Sequence, residues 1–269
     1  MAVTSRHNPL VARFRDAANG DGAVVLLDGA HLVADAMAAG VAIAIAAVTN
    51  ASRAKPEIAA IADALAERGV EVIIVGAAVM NAISPVRSPT GIVAIADRPA
   101  GRLADAFARG VPLVVVAIDV QDPGNVGAIV RAAEAAGATG VVAAGASADP
   151  FGWKALRGSM GSALRLPVAA EVDADTVVEE ARRRGCRIVA TVPRDGTQLF
   201  DIDLSGPVAL LVGGEGAGLP PALAAAAAAR VTIPMQAPVE SLNAAVTAAV
   251  ILYEAHRQRH HSLFKRVRY

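Results

Sequence analysis

Strand-like apolar runs alternate with helix-like stretches along most of this 269-residue chain. In the first third, the strand-like runs are Ala23–Leu27, Ile43–Val48, Val70–Val75 and Gly91–Ala96. Helical patterns at His31–Ala39 and Ile58–Arg68 lie between them. Such alternation predicts a largely parallel sheet whose faces are covered by helices, which is an α/β fold.

The alternation continues in the remainder of the chain. The predicted strands there are Leu113–Ile118, Gly140–Ala144, Arg187–Thr191, Val208–Val212 and Arg230–Ile233. The predicted helices are Val126–Ala136, a segment around Trp153–Leu164, Ala174–Arg184, Pro220–Ala228 and Leu242–Arg259. Pro, Gly and charged residues at Asp97–Arg102 are typical of a linker. We therefore predict two domains, residues 1–100 and 109–269, with the linker at about 97–108.

Composition excludes some classes of protein. Hydrophobic residues make up 54% of the chain, but no run approaches the roughly 20 apolar residues that span a bilayer. Residues 1–20 lack the apolar segment of a signal peptide, and the single Cys186 excludes an intramolecular disulfide, so we expect a cytoplasmic protein. The 25 basic and 25 acidic residues balance, which argues against a protein that coats long nucleic acid.

Three polar loops follow predicted strands and carry most of the functional information. They are Asn125–Arg131, Gly213–Gly218, and Ile233–Met235 together with Ser241–Asn243. Ligands bind at the carboxyl edge of parallel strands. The loops bring two Asn, one Arg, one Glu and one Ser to that edge, and polar groups are costly to bury without partners. We therefore predict a ligand site where the loops meet.

Familiar cofactor motifs are absent from these loops. The best match to a dinucleotide fingerprint, Gly214–Leu219, has Leu in place of the last Gly and Glu215 where a pyrophosphate would lie. This disfavours a Rossmann-type dehydrogenase. The chain also has no phosphate loop and no metal-ligand spacing, so no metal is expected. Glycines around a carboxylate suit a ligand that lies against bare backbone and carries positive charge or hydroxyl donors.

Three motifs in order resemble the SpoU (TrmH) branch of the SPOUT RNA 2′-O-ribose methyltransferases. They are Asn125–Gly137, Leu211–Leu219, and Ile233–Met235 with Glu240–Asn243. The likeness extends over residues from about 112 to 259. Thr4–Pro9, Asp28–Leu32 and Ser84–Gly91 are similar, more loosely, to that family's ribosomal-protein-like RNA-binding domain, although Asp28 stands where Glu is commoner.

The resemblance implies a carboxy-terminal SPOUT domain with a deep trefoil knot, preceded by a small α/β RNA-binding domain. It implies S-adenosylmethionine as the cofactor, with the backbone of Gly213, Ile233 and Leu242 holding its adenine and ribose, and Leu211 and Met235 beside them. It also implies a homodimer whose site is completed across the interface. The partner would be RNA, most often ribosomal RNA, and neither DNA nor a membrane. Transfer RNA methylation and a non-catalytic RNA-binding paralogue remain alternatives.

The resemblance also assigns candidate catalytic residues. Arg131 can hold the phosphate next to the reacting 2′-hydroxyl bidentately, but with a pKa above about 12 it cannot serve as a free base. Asn125 would cap its helix, and Glu215 would orient neighbouring donors. Ser241 and Asn243 would position the nucleotide or brace the cofactor loop.

Each assignment has a structural alternative. Asn125 or Ser241 could be a plain helix cap, and Arg131 could pair with Glu134 on the surface. The Gly213–Gly218 loop could be only a tight turn.

For the dimer, we expect small side chains of the last helix to pack against its twofold mate. These are Ala244, Ala245, Ala248 and Ala249.

Overall fold

The computed structural model describes residues 2–20 and 22–260, which form two compact units. The first unit contains the described residues up to Pro99 together with Phe151–Arg165. The second contains Ala100–Pro150 and the described chain from Leu166 onward. Among the described residues, no helix is both long and apolar enough to cross a membrane.

The predicted strands and helices occur in the predicted order, and the structure adds further short elements between them. The strands are β1 (Val24–Asp28), β2 (Ile43–Thr49), β3 (Glu71–Val75), β4 (Ile92–Asp97), β5 (Leu113–Ile118), β6 (Gly140–Ala144), β7 (Val168–Val172), β8 (Arg187–Thr191), β9 (Thr197–Gln198), β10 (Val208–Gly213) and β11 (Ala229–Thr232). The helices are α1 (Pro9–Asn19), α2 (Ala30–Ala38), α3 (Asn50–Arg53), α4 (Pro56–Glu67), α5 (Ala77–Ile83), α6 (Leu103–Ala106), α7 (Pro123–Ala135), α8 (Trp153–Ser159), α9 (Ser162–Arg165), α10 (Ala174–Arg183), α11 (Pro221–Ala226) and α12 (Ala244–Arg259). A short 3₁₀ helix lies at Leu199–Asp201.

The first unit is built on a four-stranded sheet in the order β1-β4-β2-β3. β2 and β3 are parallel, but β4 runs antiparallel to both of its neighbours, so this sheet is mixed rather than largely parallel. Helices α1 and α5 contribute Phe14 and Met80 to the core on one face of the sheet. Helix α1 is not among the predicted helices, although Asn8 caps it, Pro9 begins it and Gly20 ends it with a φ of 82°.

Residues Phe151–Arg165 pack with the first unit, whereas the predicted boundary places them in the second domain. The predicted single helix over this segment is interrupted at Met160 and Gly161, which have φ values of 49° and 77°. A Cβ on Gly161 would lie 2.1 Å from Asp35 Oδ2. Arg165 forms an ion pair with Asp35 at 2.9 Å, which holds the segment against α2. Alternation along the chain cannot reveal such a long-range contact.

The second unit confirms the α/β prediction. Its seven-stranded sheet has the order β7-β6-β5-β10-β8-β11-β9, and the paired strands are parallel. The central strands β5 and β10 are buried along nearly their whole length, and helices α7 and α12 pack against each other. Because the strands are parallel, the loops after β5, β8, β10 and β11 meet at one edge of the sheet.

Candidate active site

A pocket of about 450 Å³ lies at the carboxyl edge of β8, β10 and β11. Its wall after β8 is Thr191–Pro193, and its wall after β10 is Val212–Leu219. The third wall includes Ile233, Met235 and Ser241–Ala244 from the segment between β11 and α12. The volume is within the range of about 300–1,000 Å³ that is usual for small-molecule sites.

Four of the five predicted cofactor residues line this pocket, namely Gly213, Ile233, Met235 and Leu242. Leu211 does not line it, because this residue is 1% exposed in the core within β10. Of the predicted catalytic residues, Glu215, Ser241 and Asn243 line the pocket, whereas Asn125 and Arg131 do not. The wall after β8 is not among the predicted site residues, and its only signal in the sequence is a Pro that follows an apolar run.

Glycines in the loop after β10 allow the backbone to approach itself closely. A Cβ on Gly213 would lie 2.3 Å from the carbonyl carbon of Gly218, and one on Gly214 would lie 2.1 Å from the Asp119 carbonyl oxygen. The amide of Gly218 donates to the carbonyl of Gly214 at 3.1 Å. Any larger residue at Gly213 or Gly214 would disrupt this loop, so the pocket wall presents bare backbone.

Three side chains from the three predicted motifs meet at a hydrogen-bonded cluster beside the pocket. Asn243 Nδ2 donates to Asn125 Oδ1 and to Glu215 Oε1, both at 3.0 Å. Asn125 Nδ2 also donates to Glu215 Oε1. We call Asn125, Glu215 and Asn243 the Asn–Glu–Asn cluster. It ties the loop after β10 to the first turns of α7 and α12, and Glu215 accepts from both amides.

The predicted capping role of Asn125 is wrong. The N-cap of α7 is Asp122, whose Oδ1 accepts from the amide of Asn125 at 2.9 Å. Asn125 lies in the first turn of the helix, so its side chain is available to cross to Glu215. At α12 the N-cap is Asn243 rather than Ser241, because Asn243 Oδ1 accepts from the amides of Ala245 and Val246.

Arg131 lies apart from the cluster within one protomer. It is six residues beyond Asn125 on α7, a rise of about 9 Å. Its side chain is exposed and forms no hydrogen bond or ion pair within the part of the chain that the structure describes. The catalytic assignment of Arg131 stays a prediction.

The donor set does not indicate a metal. Across residues 2–20 and 22–260, no three His, Cys, Asp or Glu side chains are grouped so that they could hold a metal ion. The pocket is lined by backbone, by apolar side chains and by the uncharged polar side chains of Thr191, Ser241, Asn243 and Thr247, with one carboxylate at Glu215. Such a lining suits an organic cofactor with an apolar part and a positive charge.

Comparison with known proteins identifies related chains. A tRNA/rRNA methyltransferase of Synechocystis sp. is 33% identical over 266 residues, which cover 96% of this chain and 94% of the relative. The 23S rRNA (guanosine(2553)-2′-O)-methyltransferase RlmP of Bacillus subtilis is 32% identical over 228 residues, or 85% of this chain and 86% of RlmP. The crystal structure of an AdoMet-bound rRNA methyltransferase from Sinorhizobium meliloti has a TM-score of 0.85 and 32% identity, and the match covers 96% of this chain and 97% of that one.

Two sequence families match separate parts of the chain. An MRM3-like substrate binding domain matches residues 15–94. The SpoU rRNA Methylase family matches residues 112–253, just over half of the chain, including Asn125, Glu215 and Asn243. The family that the three motifs resemble is thereby confirmed: this protein belongs to the SpoU rRNA methylase family.

Proposed function

We propose that this protein transfers a methyl group from S-adenosylmethionine to a ribose 2′-hydroxyl in ribosomal RNA. The convergence of three separated motifs on one pocket, joined by the Asn–Glu–Asn cluster, carries the proposal. Family membership supports the reaction class. RlmP is named as a 23S rRNA 2′-O-methyltransferase, and the S. meliloti structure is described as AdoMet-bound.

The pocket fits S-adenosylmethionine in shape and in charge. Bare backbone at Gly213 permits close approach of a flat adenine, and Ile233, Met235 and Leu242 offer it apolar surface. Glu215 places a negative charge in the wall, which attracts a positively charged sulfonium. When bound, the cofactor supplies an electrophilic methyl group on that sulfonium.

The protein's own residues would position the RNA and its hydroxyl. The Asn–Glu–Asn cluster fixes the loops on which the nucleotide rests, because each of its three side chains is hydrogen-bonded to the other two. Ser241, exposed in the pocket lining, offers a hydroxyl to the nucleotide. Arg131 would hold the phosphate beside the 2′-hydroxyl, so that the hydroxyl is aligned with the methyl group.

Arg131 reaches a reaction centre most simply in a homodimer. It does not line the pocket of its own protomer, so we infer that it completes the site of a partner copy. An exposed apolar stripe on α12 supports such an assembly. The stripe consists of Val246, Val250 and Tyr253 on α12, which are 47%, 37% and 53% exposed, and of Leu242 just before the helix, which is 36% exposed.

The proposed interface uses a different face of α12 from the Ala residues expected from the sequence. Ala244, Ala245 and Ala248 are 6%, 8% and 0% exposed, because α12 buries this face within its own chain, where it packs with α7. Ala249 is half-buried. The apolar stripe on the opposite side is the surface left for a partner. The His- and Arg-containing tail beyond residue 260 lies outside the described residues.

Further expectations belong to the same proposal. The match of residues 15–94 to a substrate binding domain supports a role for the first unit in holding RNA. The deep trefoil knot follows from family membership, and the buried thiol of Cys186 is compatible with the cytoplasm. We expect no binding to DNA or membranes. The division into domains at about residues 97–108 is also part of the proposal.

A methyl-transfer assay tests the proposed function. The full chain would be incubated with labelled S-adenosylmethionine and unmodified ribosomal RNA fragments, and the product would be mapped by nuclease resistance of the 2′-O-methylated linkage. We expect label at one ribose. Absence of both label and cofactor binding in a folded protein would refute the proposal, and label on transfer RNA alone would change its substrate.

A further inference from the structure

A second crevice, of about 280 Å³, lies beside the cofactor pocket between the carboxyl ends of β5 and β10. Asp119 and Gln121 line one side of it, and Gly214, Glu215 and the segment Ala217–Pro221 line the other. β6 and β7 extend the sheet beyond β5, whereas β8 and β11 extend it beyond β10. The crevice therefore lies where the direction of strand addition reverses, which is a preferred place for ligands in α/β sheets.

The two cavities share a wall. Gly214, Glu215 and the segment Ala217–Leu219 line both of them. A ligand in the crevice would therefore be separated from the cofactor only by this thin, glycine-rich loop. A nucleotide whose ribose reaches over the loop could bring its 2′-hydroxyl to the cofactor while its base enters the crevice.

Asp119 is held firmly at the crevice. Its φ of 56° is in the left-handed region, and its Oδ1 accepts from the amide of Ala146 at 2.8 Å. A Cβ on Gly145 would lie 2.4 Å from that same oxygen, so a glycine is required beside it. Within the described residues, Asp119 Oδ2 accepts no hydrogen bond, and the side-chain amide of Gln121 forms none. Two polar groups at the crevice are thus available to a ligand.

We infer that this crevice receives the base of the nucleotide to be methylated and that Asp119 and Gln121 select guanine. The inference rests on the proposed function. Enzymes that modify a nucleotide often take its base out of the stack and read its Watson–Crick edge in a pocket. Asp119 is half-buried and lines the crevice, so its unfilled oxygen is placed to accept a hydrogen bond from a base that enters there.

Hydrogen-bonding chemistry identifies the base. An ionised carboxylate only accepts, whereas an amide both donates and accepts. Guanine alone presents two adjacent donors on its Watson–Crick edge, N1–H and the N2 amino group, beside the O6 acceptor. Asp119 can accept from the two donors while the Gln121 amide donates to O6. Uracil would direct a carbonyl oxygen at the carboxylate and lose this match.

The test compares base preference with cofactor affinity in the full chain. RNA transcripts that contain the mapped nucleotide would be made with each of the four bases at that position. Asp119→Asn keeps an acceptor for Ala146 and tolerates a positive φ, so the loop is preserved. Gln121→Ala removes the amide, and Gln198→Ala, at an exposed position on β9, is the matched control.

We expect wild type and the Gln198→Ala control to methylate the guanosine transcript at least about tenfold faster than the uridine transcript in single turnover. Asp119→Asn and Gln121→Ala should each reduce that preference by about tenfold, with calorimetric affinity for S-adenosylmethionine unchanged within about twofold.

Three results would overturn the inference: a wild-type preference for another base, an unchanged preference in both variants, or a parallel loss of cofactor affinity. A wild-type chain that binds no cofactor and methylates no transcript would instead refute the proposed function, and the inference with it. The two failures are therefore distinguishable.

Discussion

Asn243 uses its single amide in two ways at once. Its Oδ1 caps α12, and its Nδ2 crosses to Asn125 and Glu215. Each of these residues is predictable from sequence as polar and close to a strand end. Their mutual contacts are not, because Asn125 and Asn243 lie 118 residues apart. The capping role predicted for Asn125 is wrong for a different reason. A local sequence pattern does not distinguish an N-cap from a residue in the first turn of the helix.

Replacing Asn243 separates its two contributions. Asn243→Ala should cost about 1 kcal/mol of stability through loss of the cap, and it should also impair methyl transfer. Asn243→Ser keeps a capping oxygen but removes the donor to Glu215, so stability should return while activity stays low. Denaturant unfolding and single-turnover methylation would measure the two effects. Equal recovery of activity in the Ser variant would show that only the cap matters.

Arg131 is expected to contribute to the reaction and not to cofactor binding. Arg131→Ala should reduce methyl transfer by about 100- to 1,000-fold, the usual cost of one lost transition-state contact. Affinity for S-adenosylmethionine, measured by calorimetry, should remain within a few-fold because Arg131 does not line the pocket. Arg187→Ala, at an exposed position at the start of β8, is the control. Near-normal single-turnover rates on saturating RNA would transfer the catalytic assignment to Ser241 or Asn243.

At the scale of elements, strands inside the parallel sheet were the most predictable part of the fold. β5, β6 and β8 begin and end at the predicted residues. Such strands are buried on both faces, so they are continuous apolar runs. The edge strands β7 and β9 are not among the predicted strands, since a strand at the edge of a sheet is less buried and does not require a continuous apolar run. The Ala residues of α12 that were expected to meet a twofold mate are instead largely buried within their own chain, where α12 packs with α7.

The apolar stripe on α12 should hold the dimer together. Val250→Glu places a charge at its centre and should shift the protein to monomer, with loss of methyl transfer if Arg131 acts across the interface. Light scattering at micromolar concentration would measure the mass. Phe200→Glu changes a residue that is 66% exposed outside the stripe and should leave the mass unchanged. A monomeric wild type would contradict the assembly.

The carboxyl end of α12 should be sensitive to acid. Glu254 is buried and accepts from Arg257 and Gln258, and the bond from Arg257 chiefly lowers its pKa. Because the folded-state pKa is depressed, this stabilisation is present above the ordinary glutamate pKa of about 4.3 and is lost as pH falls through the lower folded value.

Glu254→Gln should therefore reduce the free energy of unfolding at neutral pH and flatten its decline below pH 5. Urea unfolding at several pH values would measure this. Glu240→Gln is the control, because the Glu240–Arg194 pair is 78% and 69% exposed and should contribute little. A decline in Glu254→Gln as steep as in wild type would assign the acid sensitivity to other groups.

At the scale of the whole molecule, the cofactor should bind the full chain with one site per protomer. Ligand at 100 times its dissociation constant should stabilise the folded state by about 2.7 kcal/mol, and the unfolding temperature should rise accordingly. Calorimetry would give the stoichiometry, with ATP as a control nucleotide that lacks the sulfonium. The full chain is preferable to a fragment from about residue 105, because that fragment would lose the surface on which Phe151–Arg165 pack.

The sequence by itself determined the α/β class, the order of the central strands and helices, and the family. These properties depend on local periodicity and on short motifs, which neighbouring residues specify. Only the tertiary structure decided which side chains meet. In the tertiary structure Asn125, Glu215 and Asn243 are hydrogen-bonded to one another, and Arg131 lies apart from them. Phe151–Arg165 belong to the first unit, and a crevice lies beside Asp119. Contacts between distant segments depend on how helices and strands pack, and a one-dimensional pattern does not specify that packing.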